Sequence, residues 1–115
     1  MTPEQDSLVQ RLRALLADER VMREVSMFGG RSVMVNEKMI VSALKDGNLL
    51  VRVDSAQHDE LLAQPGATQA EMGPGRDMGP GWIEVTSATI ENEEQLSAWV
   101  RVALRYNREV TGVHS

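Results

Sequence analysis

The chain has no cysteine in its 115 residues. That excludes disulfides, thiolate metal sites and thiol nucleophiles together. Aromatic residues are nearly as scarce, being confined to Phe28, Trp82, Trp99 and Tyr106. A sheet that stacks single-stranded bases needs several aromatics on adjacent strands, and only Phe28 and Trp82 fall in strand-like segments. The histidines, His58 and His114, are far apart, and Asp59 and Glu60 beside His58 do not share its helix face. His58 therefore reads as a solvated helix residue. Basic residues are in deficit, and the formal net charge of -5 argues against direct nucleic-acid binding through a large footprint. No apolar run approaches the roughly 20 residues that span a bilayer. The polar, acidic opening Thr2-Pro3-Glu4-Gln5-Asp6 lacks a signal-peptide core, so the expectation is a cytoplasmic protein with no membrane attachment.

Catalytic patterns are missing as well. Ser26 and Ser42 lie in strand-like runs without a nucleophile elbow around them. Glu91, Glu93 and Glu94 cluster where a helix starts, which the helix dipole explains. The Gly-Pro stretch from Gly73 to Gly81 is no phosphate cradle. Pro74 and Pro80 remove backbone donors, a strand follows instead of a helix, and there is no Gly-Lys-Ser/Thr. The expectation is a non-enzymatic protein without metal or cofactor.

What is present specifies one domain across residues 1–115, with ordinary apolar (42%) and charged (25%) content. Thr2 with Gln5 forms a capping-box pattern and Pro3 suits the first helical position. Leu8, Val9, Leu12, Leu15 and Leu16 then make an apolar helical stripe. Four strand-like runs follow, at 22–28, 32–36, 38–44 and 49–53. Gly29-Gly30, Asn36-Glu37 and Asp46-Gly47 separate them, so the region reads as an antiparallel meander. Asp54 is placed to cap a short helix to about Ala63, which Pro65-Gly66 ends. Residues 67–72 and 82–86 read as a strand pair joined by the Gly-Pro loop. Asn92 caps a final helix whose apolar face is Leu96, Trp99, Val100, Ala103 and Leu104. Fraying is expected after Tyr106, with a loose tail after about residue 108. The fold class is α+β, with two layers: one antiparallel sheet carrying the terminal helices on one face.

If helices cover one face, alternation along 38–44 and 49–53 leaves Ile40, Leu44 and Leu50 beside Arg52 on the other. A mixed apolar and arginine surface suits a protein partner. Arg76 and Met78 in the Gly-Pro loop extend it. The candidate partner-binding residues are thus Arg52, Arg76, Met78, Ile40 and Leu50, facing another protein or a second copy of the chain. The alternative is a small-molecule site or an unrecognised enzyme pocket between sheet and last helix, near Trp82 and Trp99. Arg101, Arg105 and Arg108 share a face of that helix. Cations near a helix C-terminus account for them, and contact with DNA or an acidic partner is the sharper reading. Methionines at 22, 27, 34, 39, 72 and 78 serve as core filling or adaptable surface.

The combined pattern resembles the N-terminal domain family of TfoX/Sxy, the bacterial competence regulators. The matching elements are Met27-Phe28-Gly29-Gly30, Leu49-Leu50-Val51-Arg52-Val53, Pro65-Gly66-Ala67, Met78-Gly79, Gly81-Trp82, and Leu96 with Trp99-Val100. They run across roughly residues 10–107. The resemblance implies a two-layer α+β domain similar to type III secretion chaperones and YjbR-like proteins. It also implies a role in transcription regulation of competence type. Full-length members act with the cyclic-AMP receptor protein and carry a second, helical domain. This chain is expected to be a single-domain member. The resemblance carries over no catalytic residues, and it implies that Met27 to Gly30 is a structural signature.

Overall fold

The fold is that of a computed structural model, which describes residues 2–19, 22–27 and 29–112. Phe28 of the glycine signature and His114 lie outside the described residues. Helix α1 (Pro3–Leu15) starts as the sequence predicts, with Thr2 Oγ1 accepting from the Gln5 N–H. The reciprocal half of the capping box does not form. Gln5 instead sends its side-chain amide to the carbonyl of Ala43, 2.8 Å away. Leu8, Val9, Leu12 and Leu16 are buried and Leu15 is half-buried. Each fully buried aliphatic side chain of this kind contributes about 1.5–3 kcal/mol.

The meander is β1 (Met22–Met27), β2 (Gly30–Val35), β3 (Lys38–Leu44) and β4 (Leu49–Arg52). The two-residue loop between β2 and β3 puts both Asn36 (φ 52°) and Glu37 (φ 68°) in the left-handed region. That is the turn whose twist matches paired strands. A bulge sits in the same pair. Val33 faces Val41 and Met34 faces Met39, so Ile40 is the unpaired extra residue.

After β4 come a single 3-10 turn (Ser55–Gln57) capped by Asp54 and helix α2 (His58–Leu62). Strands β5 (Ala67–Gln69) and β8 (Trp82–Val85) pair as expected. The Gly-Pro connection contains an unpredicted hairpin of its own, β6 (Glu71–Gly73) with β7 (Arg76–Asp77). A short helix α3 (Ser87–Ile90), also unpredicted, precedes α4 (Glu93–Thr111), whose N-cap is Asn92. Helix α4 does not loosen at Tyr106. It runs to Thr111, where Gly112 closes it in the left-handed conformation. Asn107 helps hold this last stretch, donating to the Val35 carbonyl (2.8 Å) and accepting from Asn36 (3.1 Å).

The main sheet has the order β1-β2-β3-β4-β8-β5, with every pairing antiparallel. The core lies between this sheet and helices α1 and α4. It joins Val33, Val41, Leu49, Val51, Ile83 and Val85 to Leu12, Leu96, Trp99 and Val100. No helix among the described residues is long and apolar enough to cross a membrane.

Candidate functional site

Arg52 ends β4, after the buried run Leu49–Val51. It was expected to be an open partner-binding cation, but it is half-buried and occupied. Its guanidinium carbon lies 4.8 Å from the Trp82 ring centroid and 5.4 Å from that of Tyr106. Both distances are within cation–π range. The strand pairing puts Trp82 opposite Arg52, and α4 delivers Tyr106. The three residues line a cleft of about 400 Å3 that also takes in Met34, Met39 and Asn107. Trp99 is not part of it: at 4% exposure it is a core residue.

Below this cleft, Gly81 is a junction. Its carbonyl accepts from the Val53 N–H at 2.8 Å, and its own N–H donates to His58 Nδ1 at 2.9 Å. His58 is 5% exposed, so the expectation of a solvated residue fails. Its Nε2 meets Gln69 Oε1 at 2.7 Å. The Gln69 amide nitrogen faces three carbonyls, of Ala70, Gly79 and Trp82. That fixes the amide orientation and leaves its oxygen to accept. His58 therefore carries its proton on Nε2 and accepts at Nδ1, as a neutral ring bracing the loop before β8.

The Gly29-Gly30 corner borders a larger cleft, about 860 Å3, lined by Gln5, Ser26, Met27, Arg31 and Lys45 among others. Its arginine is engaged: Arg31 reaches Glu24 at 3.3 Å. Glu24 is also held by Arg13 of α1 through two bonds of 2.7 and 2.8 Å. The hydrogen bond from Arg13 holds the Glu24 carboxyl below the usual carboxylate range, Arg31 acts the same way, and partial burial opposes both. Glu24 in turn pushes the Arg13 guanidinium up. Ser42, weighed above as a nucleophile, is fully buried with its Oγ 3.0 Å from that of Ser32. Among the described residues, no three His, Asp or Glu side chains come together as a metal site.

The remaining candidates divide. Ile40 is 1% exposed and sits in the core, because the bulge turns it to the same side as Val41. Leu50 alternates outward but is only 2% exposed. It shares a small cleft of about 190 Å3 with Leu44, Met72, Met78 and Glu84. The structure thus brings Leu50 and Met78 together, buries Ile40 elsewhere and puts Arg52 in the aromatic cleft. Arg76 is exposed on β7, and Met72 on β6 is 70% exposed.

The model of one family, the TfoX N-terminal domain, matches residues 14–106. The chain belongs to the TfoX N-terminal domain family. No curated protein matches it. Within the TfoX N-terminal domain, the Gly81-Trp82 pair noticed in sequence has a physical basis. A Cβ on Gly81 would lie 2.3 Å from Arg52 Nη1 and 3.0 Å from the Val53 carbonyl. Thr2, Gln5 and Arg13 precede the matched span. The large cleft and the Glu24 clamp are therefore built partly from residues outside the TfoX N-terminal domain match. His58, Gln69 and Asn107 were missed as organising residues. Their partners come from distant segments, and spacing carries no trace of that.

Proposed function

We propose that this TfoX N-terminal domain is a non-enzymatic interaction module, an accessory regulator of competence type, which docks a protein partner on its β6–β7 hairpin. Family membership supports the regulatory class at a coarse level. The observation that carries the docking surface is Met72. A methionine 70% exposed on a two-stranded hairpin leaves an adaptable apolar side chain in water. Met72 lines a small cleft with Leu44, Leu50 and Met78, edged by Glu71 and Glu84, and Arg76 on β7 adds a cation beside it. Co-purification from native lysate should lose one or more partners when Met72→Glu and Arg76→Glu are combined. An unchanged partner list sinks the reading.

The small-molecule reading keeps one supporting observation, the cleft lined by Trp82, Tyr106 and Arg52. Its Trp99 half is gone, since that residue is in the core. A thermal-shift screen on the native chain and Tyr106→Ala separates the two ideas. Stabilisation by a compound that depends on Tyr106 would favour the pocket.

A further inference from the structure

We propose that the Arg101–Arg105–Arg108 face of α4 is a docking surface for an acidic segment of a partner protein. The surface differs from the hairpin, and the proposal rests on the interaction-module reading only in taking the occupant to be a protein.

Most arginines of this acidic chain are committed. Arg11, Arg13, Arg23, Arg31 and Arg108 each pair with a glutamate. Arg52 has its two aromatic rings. Like Arg76 of the hairpin, Arg101 and Arg105 are exceptions among the described residues. Both are exposed, and Arg101 reaches only the Ser97 hydroxyl, at 3.2 Å. The chain has 17 carboxylate side chains against 12 basic ones, so partners are not in short supply. Even Glu109, one helical turn after Arg105 and lining the same cleft, makes no ion pair with it.

The helix dipole does not explain the pair either. Its influence is confined to the last turn, which holds Arg108. Arg101 and Arg105 lie upstream, four residues apart, where like charges weaken a helix. Arg108, already paired with Glu19, borders the cleft of about 400 Å3 that Arg101 and Arg105 line with Glu109. From Arg101 to Arg108 the helix axis rises about 10 Å. An extended peptide covers that with about three residues. Guanidinium forks match carboxylates in paired geometry. A duplex needs a broader basic surface, and the net charge of -5 repels it.

The test is fluorescence anisotropy of the full chain, at about 50 mM salt, with a short labelled Glu-rich peptide, its Gln counterpart and a short DNA duplex. The Glu peptide should bind, the Gln peptide should not, and binding should fall as salt rises. Arg105→Glu should weaken it by about tenfold or more. Arg23→Glu makes the same change in net charge on β1, outside both proposed surfaces, and should cost less than about twofold. Circular dichroism checks that both variants fold. Three outcomes overturn the proposal: no binding of the Glu peptide, equal losses for Arg105→Glu and Arg23→Glu, or tighter binding of the duplex than of the peptide. None of these bears on the hairpin, whose failure is read from the Met72→Glu co-purification.

Discussion

Two glycine corners of this domain look alike in sequence and behave differently in space. Gly29, at φ 73°, has nothing near its missing side chain, and with Gly30 it borders the 860 Å3 cleft. Gly81, at φ 95°, is buried under Arg52, bonded to His58 and paired with Val53. The first glycine serves backbone direction alone, and the second also serves packing. Gly30 falls between them. Its backbone is ordinary, but a Cβ there would sit 2.6 Å from Ser42 Oγ and 2.7 Å from the Ala43 carbonyl. A glycine-rich corner is therefore no sign of a ligand site. What separates the two is whether other elements converge on the glycine.

Substitutions can break or sharpen that contrast. Gly30→Ala should cost the most, about 3 kcal/mol by urea unfolding, because a strand carbonyl cannot step aside. Gly81→Ala should cost about 2 kcal/mol through backbone strain and should displace Arg52 from Trp82, read as a change in tryptophan fluorescence. His58→Leu orphans the Gly81 N–H and the Gln69 oxygen, for a loss also near 2 kcal/mol. Gly29→Ala meets no atom and should lose only about 1 kcal/mol. Were it to match Gly81→Ala, the contrast would be wrong.

The smallest effect belongs to the clamp beside the open corner. Glu24→Gln should destabilise modestly, since Arg13 is largely in solvent. The Glu24 carboxyl is lowered in the folded state from its ordinary value of 4.5. Its stabilisation is therefore complete above that value and is lost as pH falls through the folded value. The gap between native and Glu24→Gln stability should be constant at neutral pH and close in acid.

Local patterns were readable from residues. Asn36-Glu37, Asp46-Gly47 and alternating apolar residues gave the meander, and Thr2 and Asn92 marked both long helices. Alternation misled at Ile40, since a bulge makes two successive residues face the core and no residue type announces it. The β6–β7 hairpin was hidden in a Gly-Pro stretch because two-residue strands carry no period. Arg52 and His58 were misjudged for another reason. Their partners, Tyr106 and Gly81, arrive from other elements, and tertiary contact decides whether a polar side chain meets solvent.

The ties of the two long helices have a consequence for the order of folding. Meander pairings join residues close in sequence, such as Met27 with Gly30 and Val35 with Lys38. The helix ties close far longer loops: Gln5 to Ala43, Arg11 to Glu93, Glu19 to Arg108 and Asn107 to Val35. Loop closure costs entropy before such contacts return anything. Short-range strand pairs can thus form first, and the helices lock onto a sheet already laid out. Mutations in the helix ties should then leave the refolding rate nearly intact and speed unfolding.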